Sequence, residues 1–137
     1  KHKVSLTHVI ADEDGVGGGV VDFLGCKGFV NGSRPIKELI GSEYIVPNYS
    51  NLKTQCGYKI AEMIVKRQIG EVCEDSEVIK VVTEEMEQVK QKDIDKDGKI
   101  QLVGKDIVKQ HIGRSPDEWD SIMMRYFFEL EPEVFFF

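Results

Sequence analysis

Apolar residues recur along the chain with two periods. Residues 4–11, VSLTHVIA, are rich in β-branched side chains and predict a strand whose tail runs into Asp12, Glu13 and Asp14. From about Gly17 the period changes. Val16, Val20, Phe23 and Leu24 recur at helical spacing, so a helix starts near the glycines. Residues 27–31, KGFVN, read as a second short strand. Strand, acidic-glycine turn, helix and strand in succession predict a parallel pair in an α/β sheet. Residues 32–50 carry the breakers Gly32, Pro35, Gly41 and Pro47 and read as a connection. Over 51–69, Leu52, Cys56, Ile60, Met63 and Ile64 share one helix face, with Ser50 available to cap the start and Gly70 to close the end. Ser76 opens a further helix, with Val78, Val82, Met86 and Val89 in register; 105–112 form a short helix ended by Gly113.

The final helix is predicted from Ser115. Ser115 reads as its N-cap, Pro116 as its first residue, and Glu118 completes the Ser-x-x-Glu capping box. Trp119, Ile122, Met123, Tyr126, Phe127 and Leu130 then make one apolar face that must lie against a sheet. Asp117 and Asp120 are three apart and so are neighbours on the helix surface. Asp117 falls in the first turn, where the helix dipole favours an anion. Asp120 sits at the edge of the buried face, where an uncompensated charge is costly. The pair reads either as dipole-complementing surface acids or as metal ligands. The tail, EPEVFFF, is apolar enough to pack back on the domain or to meet a partner.

Residues 93–104, DIDKDGKIQLVG, pose a second ambiguity. Asp93, Asp95, Asp97, Gly98 and Ile100 fall in the register of a calcium-binding EF-hand loop, but Gly104 stands where the bidentate Glu belongs. Lys99 to Val103 alternate like a strand, and Asp97-Gly98 is a hairpin-turn signal. A hairpin is the better fit.

Length and composition narrow the class. At 137 residues, 41% hydrophobic and 31% charged, the chain reads as one globular domain with room for a core. No apolar run approaches the ~20 residues of a membrane span. The first residues, Lys1-His2-Lys3, lead into no signal-peptide pattern. Cys26, Cys56 and Cys73 are odd in number and form no CxxC, which fits a reducing compartment and leaves the Asn-Gly-Ser and Asn-Tyr-Ser sequons at 31 and 48 without a use. A net charge of −6 argues against a chain that coats nucleic acid by charge alone. It leaves room for a nuclease, whose active-site acids are neutralised locally by metal ions.

The glycine turn at 15–19 could serve a phosphate or frame a carboxylate. Valine stands where the third glycine of a dinucleotide fingerprint belongs, no Walker lysine follows, and three acids would face the phosphate. Asp12, in contrast, is the first residue past a strand, at the end of an α/β sheet where ligands bind. A solvated acidic turn that caps the helix remains open on these residues alone.

Three stretches, VIADEDGVGGGVVDFL, NLKTQCGYKIAEMIV and IGRSPDEWDSIMM, in this order and spacing resemble the nuclease domain of tailed-phage terminase large subunits. SPDEWDSIMM is similar to that family's Ser/Asp-Pro/Asp-Asp-x-x-Asp-Ala-Leu motif, with Ser121 for the usual Ala and Ile122 for the Leu; DEDGVGGGVVD is similar to its acidic Asp-x-x-Gly-x-Gly turn. The resemblance covers nearly the whole chain. It implies an α/β, RNase H-like mixed sheet flanked by helices, with 1–137 a single unit within the nuclease domain. It implies Asp12, Asp117 and Asp120 as catalytic residues and ligands of two Mg²⁺ or Mn²⁺ ions, which prefer such hard oxygen donors. Lys105, Lys109 and Arg114 then become the residues expected to touch DNA phosphates. The implied reaction is endonucleolytic cleavage of concatemeric viral DNA. The implied partners are double-stranded DNA, an ATPase domain in the same chain, the portal protein and the small terminase subunit, in the host cytoplasm and without a membrane. One departure stands out: the family's first catalytic Asp lies on an opening strand, and none of the eleven residues before Asp12 is acidic. The chain is therefore expected to lack the first strands of its domain and to be weakly active or inactive alone. Two other classes compete with the nuclease: a calcium-binding module at 93–104, and an interaction domain that keeps the fold but not the site.

Overall fold

The structure is a computed structural model and describes residues 3–14, 17–70, 72–94 and 97–131. Gly15, Val16, Asp95 and residues 132–137 of the apolar tail, all singled out above, lie outside the described residues.

The predicted opening unit forms. Strand β1 (Ile10–Asp12) pairs in parallel with β2 (Lys27–Phe29), in the register Ile10↔Lys27 and Asp12↔Phe29, and helix α1 (Gly18–Leu24) connects them. β1 starts later than its β-branched composition predicts. Residues Leu6–His8 form a 3-10 turn, because the Ser5 hydroxyl accepts the Thr7 N–H and so satisfies the backbone locally. Asp12 is thereby the last residue of β1 rather than the first beyond it. The segment 32–50 is more than a connection. Its two apolar triplets pair as an antiparallel hairpin, β3 (Glu38–Ile40) and β4 (Glu43–Ile45), with Gly41 at φ 66° in the two-residue loop.

Helix α2 (Leu52–Val65) is capped by Asn51, not Ser50: the Asn51 side-chain oxygen accepts the Thr54 N–H at 2.9 Å. It ends at Lys66, before Gly70, through Arg67 at φ 55°. Helix α3 (Ser76–Glu87) is capped by Asp75, one residue before the Ser76 start. Residues 90–103 close as a hairpin. Val103 N–H donates to Lys90 O (2.9 Å), Lys92 N–H donates to Gln101 O (2.7 Å), and Gln91 bridges Leu102 antiparallel. Ile100 docks this hairpin beside residues 48–50 through hydrogen bonds to Asn48 O and from Ser50 N–H. Gly57, mid-helix in α2, allows the contact: a Cβ there would lie 2.7 Å from Leu102 Cδ1. Gly104 then caps α4 (Lys105–Ile112), which Gly113 ends at φ 74° as predicted.

The final helix, α5 (Asp117–Arg125), runs into a 3-10 turn at Tyr126–Glu129. It is wedged between α2 and α3 and also touches β1, so its apolar face meets helices as well as the sheet. Trp119, Met123, Phe127 and Leu130 join Phe29, Leu52, Cys56 and Ile60 in one core. Phe127 stands edge-on to Phe29 at 6.3 Å, which ties the end of β2 to the end of the chain's last helical segment. Fully burying such side chains stabilises by roughly 1.5–3 kcal/mol each.

Candidate functional site

The C-terminal end of β1, the start of α2, the descending arm of the 90–103 hairpin and the first turn of α5 surround one open cavity of about 300 Å³. Asp12, Asn31, Lys53, Leu102, Lys105 and Asp120 are among the residues that line it.

Asp12 reaches the cavity because β1 ends there. Its Oδ1 accepts the Asp14 N–H at 3.0 Å. Asp14 in turn accepts from both the backbone and the side-chain amide of Asn31, at 3.0 and 2.8 Å. The acidic turn is thus braced: one acid locks the loop that presents the other. Gly17 closes this turn so tightly that a Cβ on it would fall 1.7 Å from the Asp12 carbonyl oxygen. Gly17 is thus required by the turn that carries Asp12, while Gly18 and Gly19 meet no such crowding.

Asp120 faces Asp12 from α5, with only 16% of its side chain exposed. The countercharge comes from the protein itself. Lys53 Nζ lies 2.7 Å from Oδ1, and Lys105 Nζ lies 2.5 Å from Oδ2. A metal is therefore not required to relieve that charge, as its position beside an aromatic face suggested. Burial lowers the affinity of Lys105 for its proton, but the hydrogen bond and charge of Asp120, with Asp117 behind them, outweigh it and hold the ammonium above the usual lysine range. Asp117 points elsewhere. Its side chain is 73% exposed, meets Lys105 at 3.5 Å, and borders a shallow hollow with Val82 and Ile122 rather than the cavity. Of the three acids singled out by sequence, the structure brings Asp12 and Asp120 to one cavity and sets Asp117 on its outer flank.

The basic residues divide similarly. Lys105 lines the cavity, and Lys109 stands exposed on α4. Arg114 is committed to structure: its guanidinium holds Glu85 Oε1 and Glu84 Oε2, each at 2.7 Å. This pairing also corrects the expected capping box. Pro116 takes the N-cap position of α5 and leaves Ser115 outside it; no side chain of the cap residue bonds the helix. Glu85, reaching over from α3 and fully buried, accepts the Trp119 N–H at 2.8 Å instead. Burial pushes the Glu85 carboxyl above its ordinary range. The Trp119 N–H opposes that shift, Glu118 adds to it, and Arg114 opposes it.

Sequence reasoning missed Lys53, Asn31 and Glu85. Lys53 carried a signal, because a cation in the first turn of a helix opposes the dipole and calls for a nearby acid. Glu85 carried one too. It falls on the same face as Val78, Val82 and Val89, where an isolated carboxylate needs a partner.

Carboxylate oxygens suit Mg²⁺ or Mn²⁺, and Asp12 and Asp120 supply them across a cavity wide enough for hydrated ions. Among the described residues no group of three or more His, Cys, Asp or Glu is arranged to hold a metal ion. Among them, too, no helix is long and apolar enough to cross a membrane.

No protein-family model matches the chain, and no curated protein does. Two solved structures share its fold. One is the K428A mutant nuclease domain of the large terminase subunit gp2 of bacterial virus Sf6, with manganese and beta-thujaplicinol. It superposes with a TM-score of 0.65 and 20% identity, over 85% of this chain and 63% of that one. The other is the same mutant domain with manganese, at a TM-score of 0.64 and 19% identity, over 85% and 64%. The chain spans less than two thirds of the solved domains it matches. The fold is therefore the mixed α/β fold of a terminase nuclease domain, as the three sequence motifs implied.

Proposed function

We propose that the chain is part of the DNA-cleaving domain of a viral genome-packaging terminase, a metal-dependent endonuclease that cuts concatemeric DNA. One observation carries this reading: in that fold, Asp12 at the end of β1 and Asp120 in the first turn of α5 border the same cavity. Both neighbours were solved with manganese, which supports Mn²⁺ or Mg²⁺ as the ion.

In this reading Asp12 and Asp120 hold the ions, and Asp117 is an outer acid beside them. A pair of such ions supplies a clamp for the scissile phosphate and an activated water. The chain's own residues prepare the place. Asp14 and Asn31 fix the Asp12 turn. Lys53 and Lys105 pair with Asp120 and keep it aimed at the cavity, and in the presence of DNA their ammonium groups, with that of Lys109, turn to backbone phosphates. Arg114 stays with Glu84 and Glu85. The partners follow from the same reading: double-stranded DNA, the ATPase domain of the same polypeptide, the portal and the small subunit, in the host cytoplasm.

The test is a Mn²⁺ titration of the 137-residue chain, paired with plasmid nicking by the full-length protein. Asp12→Asn and Asp120→Asn are each expected to abolish nicking and weaken Mn²⁺ binding, while the chain alone cuts weakly or not at all. Unimpaired nicking by the full-length Asp120→Asn protein would overturn the proposal.

A further inference from the structure

The buried carboxylate of Glu85 ties helix α3 both to the link before α5 and to the first turn of α5. It lies on α3, has no exposed surface, and divides its two oxygens between two targets. Oε1 accepts from Arg114 Nη1 at 2.7 Å, in the link between α4 and α5. Oε2 accepts from the Trp119 backbone N–H at 2.8 Å, inside the first turn of α5. Arg114 is anchored a second time by Glu84, at 2.7 Å through Nη2. The Trp119 N–H belongs to the peptide that joins Glu118 to Trp119, so Glu85 holds the turn one peptide before the one that carries Asp120.

Within the first turn of α5 the Ser121 hydroxyl donates to Asp117 O at 2.8 Å, a bond internal to the helix, and Glu85 is the side chain that ties the turn's backbone to another helix. Pro116 cannot cap it, and Ser115 does not. On the far side, Asp120 meets Lys53 and Lys105, whose long side chains adapt to wherever the carboxylate stands. The rigid reference is thus Glu85. We infer that Glu85 is a positioning residue for the cavity: by fixing the link and the first turn of α5 together, it sets where the Asp120 carboxylate stands opposite Asp12. It touches neither the cavity nor its contents. The inference rests on the proposed reading of Asp120 as a metal-holding residue, and it goes beyond that reading by assigning a role to a residue on a different helix.

The test uses Glu85→Gln and Glu85→Asp in the 137-residue chain. The amide keeps one acceptor oxygen but turns an NH₂ toward either Arg114 or Trp119 N–H. The aspartate keeps the charge on a shorter arm, so it serves where the amide variant fails to fold. Helix content is read by circular dichroism. Two further readouts separate positioning from mere stability. Mn²⁺ affinity is expected to fall about tenfold or more, the range for residues that orient a metal's ligands. In the metal-free chain, the ¹⁵N ammonium signals of Lys53 and Lys105, protected by their bonds to Asp120, are expected to broaden. Ile60→Val, which loosens the core on α2 and leaves the hydrogen bonds of Glu85 in place, should leave both readouts unmoved. Unchanged ammonium signals in folded Glu85 variants would overturn the inference. Absence of Asp120-dependent Mn²⁺ binding in the wild-type chain would instead strike the functional reading, and the ammonium signals would still judge Glu85.

Discussion

Gly17, Gly18 and Gly19 look interchangeable in the sequence, yet only Gly17 is expected to resist substitution by alanine. Two opposed effects decide its case. Its φ of −66° suits alanine, and replacing glycine there restricts the unfolded chain, a gain of about 0.4–1 kcal/mol. Against this, the new Cβ would stand 1.7 Å from the Asp12 carbonyl oxygen. Carbon–oxygen contacts begin at about 3.3 Å, so the two atoms must part by roughly 1.5 Å. The atom in the way is backbone, held in the β1–β2 ladder and followed by the Glu13 N–H bond to Phe29 O at 2.9 Å, so no side chain can swing aside. Overpacking of this kind costs about 1–3 kcal/mol, occasionally more, and exceeds the entropic gain. Gly18 has its nearest such neighbour at 3.9 Å and Gly19 none within 4 Å. In those helical positions alanine should stabilise by up to about 1 kcal/mol. Urea denaturation of the three variants reads the stabilities, and a Mn²⁺ titration reads whether Asp12 has left the cavity. Gly17→Ala should lose stability and metal affinity together, while Gly18→Ala and Gly19→Ala lose neither. A Gly17→Ala chain as stable as Gly19→Ala, with wild-type Mn²⁺ affinity, would refute the account of the turn.

Lys53→Met should tighten Mn²⁺ binding. Lys53 is 20% exposed and pairs with Asp120 at 2.7 Å; a pair of unit charges 4 Å apart near a protein surface interacts by about 4 kcal/mol before desolvation is subtracted. A net gain of about 1–2 kcal/mol corresponds to roughly 5–30-fold in affinity by calorimetry, and weaker binding would count against competition between lysine and metal. At alkaline pH the fold should weaken. Burial pushes the Cys56 thiol from 9.0 up to about 12, and Lys105 is raised above 10.5. In both cases the native state keeps a proton that the unfolded chain releases, so stability falls as pH rises from about 9 through the folded values. Iodoacetamide at pH 8.5 should accordingly label Cys26 and Cys73 while sparing Cys56, and rapid alkylation of Cys56 in the folded chain would contradict its place in the core.

Much of the fold was legible because its elements carry local signals. The change of period at the glycines, the helical register from Leu52 to Ile64 and the glycine that ends α4 each state an element within a dozen residues. Local signals also misled in a consistent way. Ser50 and Ser115 both looked like caps, and in each case another residue takes the helix's free N–H instead, Asn51 beside it and Glu85 from a different helix. A cap is chosen by geometry after packing, and several polar residues near a helix start satisfy the sequence rule equally well. Gly41 was read as a breaker of structure, although between two apolar triplets it is the turn that makes one.

Around the cavity the sequence pointed to Asp12, Asp120 and Lys105 but not to Lys53, and the omission has a physical cause. Asp12 and Asp120 announce themselves by position, one at a strand end and one at the border of an aromatic face. Their compensation does not, because a flexible cation can come from anywhere in the chain: Lys53 lies 67 residues before Asp120, and Lys105 lies 15 before it. A buried-edge carboxylate therefore predicts that a cation exists without saying whether it is a metal or a lysine. Here both answers bear on function. The two lysines compensate the charge of Asp120, so Asp120 needs no ion to be tolerated there. An ion that enters must then displace or outbid an ammonium already within hydrogen-bonding distance, so the lysines set the threshold for metal binding. It follows that occupancy of the Asp120 side of the cavity should depend on whatever draws Lys53 and Lys105 away. In the proposed reading DNA is the polyanion with the charge to do so, and DNA and metal binding are then expected to reinforce each other at this cavity.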